Sequence, residues 1–248
     1  MRAPDWLTAR PVAHRGLHDI SRGIVENMPA AVQAAMAGNF AIEVDIQLSA
    51  DGEAMVHHDH ALGRLTEGSA PLIEKTAAEL RAVRFKDTAE QMMSLGELCT
   101  TVAGRVPLVI EVKSQFRGDR KLVKRMAEVL STYDGPAVGM SFDPDQVLAL
   151  REIIPSRPRG IVAQRTYEDE YWAELTDAQR DSMLYLRHGL RTQPHFVAFK
   201  VDHLPAPAPW IARNIFGCPL LGWTVRTPEQ RARAAQYADQ MIFEGFVP

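Results

Sequence analysis

The feature that most constrains the fold is a regular alternation between short β-favouring runs and longer segments with helical periodicity. Eight apolar runs recur along the chain, near residues 11–14, 41–47, 107–113, 137–142, 159–164, 196–201, 219–225 and 240–244. Most intervals between them carry the apolar period of a helix, at 26–36, 77–83, 95–102, 119–130, 144–152, 168–187, 208–214 and 228–237. This alternation predicts βα units rather than an all-β or all-α fold.

One additional β-type run, at 53–57, follows the second strand after only Ser49-Ala50-Asp51-Gly52. Four residues cannot hold a parallel crossover, and Asp-Gly is a strong turn signal, so this run is predicted to be an antiparallel excursion that brings His58 back over strand two. Eight strands with helical connections and one excursion predict a (β/α)8 TIM barrel. A doubly wound open sheet is the competing fold.

Length and composition fit this prediction. A chain of 248 residues with 46% hydrophobic and 24% charged residues is typical of a globular protein, and no linker or repeat divides it. We therefore expect a single barrel domain over residues 1–248. Cys99 and Cys218 lie in apolar settings and are expected to be packing residues.

The charge balance limits the possible partners. A net charge of −3 and a pI near 6.2 give no long-range attraction for nucleic acid or an anionic membrane, so any phosphate recognition must be local. The N-terminus lacks an apolar leader, and no run approaches the length of a membrane span. We expect a cytoplasmic protein without stable membrane association, and the oligomeric state stays open.

Carboxylates recur at strand positions that share a face. Residues two apart in a strand point the same way, so Glu43 lies with Asp45, and Glu111 lies with Lys113. A solvated edge strand is the alternative, but parallel strands are normally covered on both faces. Two carboxylates about 4 Å apart repel by about 4 kcal/mol at an effective dielectric of 20, so a proton or a cation must bind. Three carboxylates favour one hard cation, Mg²⁺ or Ca²⁺, over zinc.

Two histidines lie near the predicted acidic cluster. His14 ends strand one beside Arg15, and His58 precedes Asp59, which is a possible orienting neighbour. Two imidazoles beside a metal site are suited to general acid–base work near neutral pH. The arginine, the cation and Lys113 indicate an anionic group in the reaction, most simply a phosphoryl group.

In their order and spacing, these motifs resemble those of the glycerophosphodiester phosphodiesterase family. The resemblance rests on His14-Arg15-Gly16, Glu26-Asn27, Glu43-x-Asp45, Asp51-Gly52, His58-Asp59, Arg64-x-Thr66, Ser94-Leu95-x-Glu97-Leu98, Glu111-x-Lys113, Ser141-Phe142-Asp143-Pro144 and Trp223-Thr224-Val225. It implies a TIM barrel whose site residues have three roles. Glu43, Asp45 and Glu111 would hold a divalent cation, His14 and His58 would form an acid–base pair, and Arg15 and Lys113 would contact the phosphate.

The resemblance implies hydrolysis of a small-molecule glycerophosphodiester to glycerol 3-phosphate and an alcohol, within phospholipid metabolism. The alcohol, the preferred metal, the roles of the two histidines and the choice between direct water attack and a cyclic phosphate stay open. One alternative is a related phospholipase D-like or lysophospholipid or sphingolipid phosphodiesterase that releases a cyclic phosphate. Its lipid should need an apolar rim, and the loops show no obvious aromatic cluster. A non-catalytic barrel that binds a phosphorylated metabolite is the other alternative.

Several positions depart from the family pattern. Val25 and Met28 flank the Glu-Asn pair, Arg226 follows the Trp-Thr-Val motif, and the final strand ends at Glu244. We expect these changes around the substrate rim. Trp223 either lines the pocket for the alcohol or belongs to the core.

Other polar residues have weaker claims to a role in the site. His57 and His60 are not expected to act directly. Lys200 and Asp202 end a barrel strand but have no family counterpart.

Overall fold

The computed structural model describes residues 3–168, 172–173 and 175–248. The strands are β1 Val12–Ala13, β2 Ala41–Leu48, β3 Ala54–Val56, β4 Leu108–Val112, β5 Ala137–Ser141, β6 Arg159–Ala163, β7 Phe196–Lys200, β8 Leu220–Val225 and β9 Gln240–Phe243. Eight of them are parallel and close into a barrel in the order β1-β2-β4-β5-β6-β7-β8-β9, and β9 pairs with β1. The predicted (β/α)8 barrel is confirmed, and the open sheet is excluded.

Strand β3 is the predicted excursion. It pairs antiparallel with β2 and takes no place in the barrel wall. Gly52 turns the chain with a φ of +88°, a conformation that glycine adopts without a Cβ penalty. The His57 backbone N–H then donates to the Asp45 carbonyl at 3.0 Å, which fixes His58 above the end of β2.

Helices surround the barrel. They are α1 Pro29–Ala37, α2 Ala77–Ala82, α3 Leu95–Val102, α4 Lys121–Leu130, α5 Pro144–Ile153, α6 Asp177–Leu184, α7 Gly189–Thr192, α8 Pro207–Asn214 and α9 Pro228–Tyr237. Short 3-10 turns occur at Asp5–Leu7, Ile20–Arg22, Leu72–Glu74 and Val201–His203. Among the residues described, no helix is both long and apolar enough to cross a bilayer.

The predicted helix over 168–187 is wrong in its extent. Its positions 169–171 and 174 lie outside the described residues. In the described part, α6 begins only after Thr176, whose side chain accepts from the Gln179 N–H in a capping box. Leu186 has a φ of +52°, which no helix interior allows, and the separate α7 follows.

Helix α1 also differs from its prediction, which began at residue 26. It begins at Pro29, the preferred place for proline in a first turn. Asn27 just before it has a φ of +60°, so Glu26 and Asn27 form a turn rather than helix. Both side chains are thereby available to the barrel mouth.

Alternation along the strands separates the barrel interior from its outer wall. The interior cluster contains Val12, Ala41, Val109, Val138, Met140, Val162, Phe196, Ala198, Leu221 and Ile242. Ile42, Val44 and Ile46 instead belong to the cluster that includes buried residues of the surrounding helices. Because side chains alternate, Glu43 and Asp45 point into the barrel with Val109 and Glu111.

Candidate active site

The three predicted carboxylates converge at the C-terminal end of the barrel. Asp45 on β2 lies beside Glu111 on β4 in the sheet register, and Glu43 lies two residues before Asp45. One carboxylate oxygen from each of the three lies within 4.8 Å of the others, and all three side chains are buried. The structure therefore brings together the acidic residues that the sequence places on separate strands.

The electrostatics of this cluster favour a bound cation. Burial, together with the charges of Asp45 and Glu111, raises the pKa of Glu43 well above its usual range. Burial also opposes ionisation of Asp45, but Lys113, His58 and Arg15 hold its pKa well below its usual range. Glu43 Oε1 is buried and has no hydrogen-bond partner among the described residues. A three-carboxylate set with an unsatisfied buried oxygen fits a hard divalent cation.

Lys113 and Asn27 are among the side chains that contact Asp45. The Lys113 ammonium donates to Glu111 Oε1 at 2.6 Å and lies 2.7 Å from Asp45 Oδ1. The buried Asn27 donates from Nδ2 to Asp45 Oδ2 at 3.0 Å. Asn27 belongs to a motif shared with the family, but the sequence alone did not indicate a role for its side chain. Its left-handed conformation directly before α1 became visible only in the structure.

Arg15 is held by a sharp turn after β1. Arg15 and Gly16 have φ angles of +55° and +78°. The Arg15 backbone N–H donates to Glu43 Oε2 at 2.9 Å, and its guanidinium donates to Glu26 Oε1 at 2.7 Å. A Cβ on residue 16 would lie 2.8 Å from the Ala31 carbonyl carbon, so only glycine fits. The turn thus places Arg15 beside the acidic cluster.

His14 directly follows β1 and faces the cluster. Its Nδ1 is 2.6 Å from Glu244 Oε2, and its Nε2 is 4.0 Å from Glu43 Oε2. Burial lowers the pKa of His14 to about 4, although the hydrogen bond to Glu244 opposes this shift. In the neutral ring, Nδ1–H donates to Glu244 and leaves the Nε2 lone pair toward Glu43.

Arg226 holds Glu244 from the other side. Its guanidinium donates from Nη2 and Nε to the two carboxylate oxygens at 2.9 and 3.2 Å. The sequence predicted that Arg226 and Glu244 lie around the substrate rim. Glu244 has an additional contact, because its carboxylate binds the His14 ring directly. The available sequence signal was a carboxylate one residue after a barrel strand.

His58 is held in the same manner as His14. Its Nδ1 is 2.8 Å from Asp59 Oδ1, and Arg64 Nε donates to Asp59 Oδ2 at 2.7 Å. Arg64 also donates to Glu26 Oε1 at 2.6 Å, and Glu26 in turn binds Arg15. Each imidazole therefore has a carboxylate on Nδ1 and an arginine behind that carboxylate, as in other sites where a second group orients a reacting histidine.

A cavity of about 230 Å³ connects these groups. It is lined by His14, Arg15, Glu43, His58, Glu111, Lys113, Met140, Phe142, Val162, Lys200, Asp202, Trp223, Thr224, Arg226 and Ile242. A second cavity of about 260 Å³ also has Lys113 in its wall, together with Gln47, Ser114, Gln115 and Gln146. Lys113 thus lies between two open spaces.

The His57 and His60 rings have other partners. His57 is buried, and its ring packs edge-to-face on Phe85 with centroids 6.2 Å apart. His60 Nδ1 is 3.2 Å from Gln47 Oε1 in the wall of the second cavity. Of the two cysteines, Cys99 is buried in the core and Cys218 is partly buried.

Trp223 lies at the boundary between the first cavity and the barrel interior. It lines the first cavity, and its ring packs edge-to-face on Phe142 with centroids 5.4 Å apart. Phe142 also contacts Trp172, which contacts Tyr167 and Phe116. The sequence showed no such cluster because its members come from four different loops and strands. Trp172 and Tyr167 are only 5% and 3% exposed, whereas Phe142 and Trp223 are partly exposed and form part of the wall of the first cavity.

A buried acidic cluster at the C-terminal mouth of a (β/α)8 barrel, next to two oriented imidazoles and two cationic side chains, is the arrangement expected of an enzyme that acts on a phosphate ester. The model of the glycerophosphoryl diester phosphodiesterase family matches residues 14–246. The chain therefore belongs to this family, and its assignment to the phosphodiesterases is confirmed.

Individual relatives agree with the family match. The chain is 29% identical over 165 residues to a glycerophosphodiester phosphodiesterase of Caldanaerobacter subterraneus subsp. tengcongensis, a match that covers 62% of this chain and 66% of that protein, just under two thirds. It is 24% identical to human glycerophosphodiester phosphodiesterase 1 over 89% of this chain and 73% of the human protein.

Solved structures share the fold. An Oleispira antarctica phosphodiesterase in complex with the product sn-glycerol-3-phosphate has a TM-score of 0.75 at 18% identity, covering 94% of this chain and 91% of that one. A glycerophosphodiester phosphodiesterase from Thermotoga maritima has a TM-score of 0.70 at 21% identity, with 94% of each chain covered.

Proposed function

We propose that this protein hydrolyses glycerophosphodiesters to glycerol 3-phosphate and an alcohol, with one divalent cation, Mg²⁺ or Ca²⁺. The observation that carries the proposal is the buried Glu43, Asp45 and Glu111 cluster flanked by two carboxylate-held imidazoles. Family membership supports it, and the Oleispira relative binds sn-glycerol-3-phosphate as its product. All of these residues belong to one barrel, which we propose acts as a single domain on a small-molecule substrate.

Each side chain has a distinct part in this reaction. Glu43, Asp45 and Glu111 hold the cation, which supplies positive charge to the phosphoryl oxygens when bound. Arg15 and Lys113 bind the non-bridging oxygens and stabilise the charge that develops on them. One imidazole removes a proton from the nucleophile at its Nε2, and the other gives a proton to the leaving alkoxide.

The two cavities support a diester rather than a monoester. Lys113 lies in the wall of both cavities, so we propose that the phosphate binds between them. A diester carries two organic groups on one phosphorus, and each cavity can receive one of them.

The test is an assay of several glycerophosphodiesters with Mg²⁺, with Ca²⁺ and with EDTA. We expect turnover only with a cation, and a loss of about 10²-fold or more in His14→Ala and in His58→Ala. His203→Ala is the matched control, because His203 lines neither cavity. Turnover in EDTA, or full activity in both variants, would contradict the proposal.

Product identification separates the rival functions. Phosphorus NMR distinguishes glycerol 3-phosphate from the cyclic phosphate that a lysophospholipid or sphingolipid enzyme would release. Binding of glycerol 3-phosphate without turnover under any metal condition would instead indicate a non-catalytic barrel.

A further inference from the structure

The first cavity has two unlike halves. The ends of β1, β2 and β4 and the loop after β3 supply all of the groups assigned above to phosphate, cation and proton transfer. The opposite half comes from the ends of β5 to β9, with an apolar surface formed by Met140, Phe142, Val162, Trp223 and Ile242. Its polar members are Lys200, Asp202, Thr224 and Arg226, and Arg226 already binds Glu244.

Lys200 is a hydrogen-bond donor in the apolar half of the first cavity, and the mechanism above assigns it no role. It is the last residue of β7, in register with Trp223 on β8 and two residues after the interior residue Ala198. Its side chain is half-buried, and among the described residues it makes no hydrogen bond or ion pair. A half-buried ammonium without a partner is placed to bind an oxygen of a ligand.

Asp202 is an acceptor close to Lys200 in the same wall. Its carboxylate accepts from Gln230 Nε2 at 2.9 and 3.0 Å, and no ion pair joins it to Lys200 in the described part of the chain. Each carboxylate oxygen can accept further hydrogen bonds. The cavity therefore presents a separate charged donor and charged acceptor above an apolar and aromatic surface.

This combination gives no net preference for a charged organic group. A cation would be attracted by Asp202 and repelled by Lys200, and an anion the reverse, while Arg226 is already paired with Glu244. A pair of neutral hydroxyl groups satisfies both residues, since each hydroxyl can donate and accept. The C–H groups between the hydroxyls can pack on the rings of Trp223 and Phe142.

We propose that Lys200 and Asp202 recognise the vicinal hydroxyl groups of the glycerol arm of the substrate. Lys200 Nζ donates to one hydroxyl oxygen, and the Asp202 carboxylate accepts from the other hydroxyl. The inference deepens the proposed function and rests on it for the identity of the substrate. It makes these two side chains specificity residues rather than catalytic residues.

Direct binding of two monoesters tests the assignment without turnover. Calorimetry compares glycerol 3-phosphate with n-propyl phosphate, which has the same carbon count and phosphate but no vicinal hydroxyls, at one fixed concentration of the divalent cation. We expect the wild type to bind glycerol 3-phosphate about tenfold more tightly or better, because hydrogen bonds to charged groups are stronger than neutral ones. Lys200→Met and Asp202→Asn should each remove about tenfold of that affinity and leave n-propyl phosphate within about twofold.

Lys124→Met and Asp134→Asn are matched controls, since both residues are exposed and line neither cavity. Equal binding of the two ligands by the wild type would overturn the inference. Equal loss of both ligands in the two variants would overturn it as well, because it would show a general charge effect.

Turnover of glycerophosphodiesters, assayed separately, distinguishes the two proposals. If the protein turns over glycerophosphodiesters but does not prefer glycerol 3-phosphate over n-propyl phosphate, only the inference about Lys200 and Asp202 is contradicted. If it shows that preference but no turnover, only the proposed function is contradicted.

Discussion

At the scale of single residues, the site depends on how each imidazole is held. His14 and His58 both direct Nδ1 at a carboxylate, and an arginine neutralises that carboxylate from behind. A fixed Nδ1–H keeps Nε2 available for proton transfer in either direction. In the proposed mechanism, Glu244 and Arg226, which depart from the family pattern, would orient His14 for proton transfer.

Glu244→Gln should lower kcat by about 10²-fold, because an amide can bind His14 in the wrong tautomer and cannot balance a positive imidazole. The effect on KM should be smaller, since Glu244 lines neither cavity. Steady-state kinetics measure kcat and KM separately for this variant, with Glu74→Gln on an exposed 3-10 turn as the control. Equal changes in kcat for both variants would refute a positioning role.

Gly16→Ala should lower the free energy of unfolding by roughly 2–4 kcal/mol, from left-handed strain of about 1–2 kcal/mol and a clash with Ala31. Gly118→Ala is the matched control, since Gly118 has a φ of +72° and nothing within 4 Å of an added Cβ. Urea denaturation measures both, and the difference between them isolates the clash. Similar losses in the two variants would show that close approach to Ala31 has no energetic weight.

At the scale of secondary structure elements, part of the family resemblance is structural rather than catalytic. Ser94 caps α3: its side chain accepts from the Glu97 N–H, and the Glu97 carboxylate accepts from the Ser94 N–H. Neither residue lines the first cavity. Their motif therefore fixes a helix start behind the barrel wall.

Ser94→Ala should cost about 1 kcal/mol of stability without changing kcat/KM. Thr76→Ala removes the same capping box from α2 and should cost a similar amount. Chemical denaturation and a standard activity assay check both effects. A tenfold loss of kcat/KM in Ser94→Ala alone would indicate a role in the site.

How far the sequence predicts each element depends on the range of the interactions that fix it. Period-two alternation is local, so the inward direction of Glu43, Asp45 and Glu111 could be predicted. The start of α1 could not, because the left-handed Asn27 is held by its bond to Asp45, eighteen residues further along the chain. The bond between His14 and Glu244 joins residues 230 positions apart, and no local pattern encodes it.

Acid should destabilise the fold through buried histidines such as His188, which precedes α7 and is 5% exposed. Burial lowers the pKa of His188 to about 4, below the usual value of about 6.5 that the unfolded chain retains. The unfolded state therefore binds more protons between these values, and stability is present above pH 6.5 and is lost as the pH falls toward 4.

His188→Gln should reduce this loss by about 2 kcal/mol between pH 6.5 and pH 5, because glutamine cannot take up a proton. Urea denaturation across that interval measures the change. His203→Gln should have less effect, since His203 is less buried. The same acid slope in wild type and His188→Gln would contradict the assignment.

At the scale of the whole molecule, barrel closure assembles the site. The pairing of β1 with β9 brings His14 to Glu244, and the pairing of β2 with β4 brings Asp45 beside Glu111. An open sheet with the same strands would separate the first pair. The His14 ring is therefore oriented only if the barrel closes. The acidic cluster depends on the fold as well, because it places three carboxylates where they repel one another unless a cation or proton is bound.

Added Mg²⁺ or Ca²⁺ should raise the thermal midpoint, because binding to the folded state contributes about 2.7 kcal/mol at one hundred times Kd, or roughly 5–10 °C for a chain of this size. Glu43→Gln imitates the protonated carboxyl, so this variant should match the wild type in EDTA but respond much less to the cation. Differential scanning fluorimetry with and without each ion gives both values, with Asp134→Asn as an exposed control. An equal cation response in wild type and Glu43→Gln would place the ion elsewhere on the molecule.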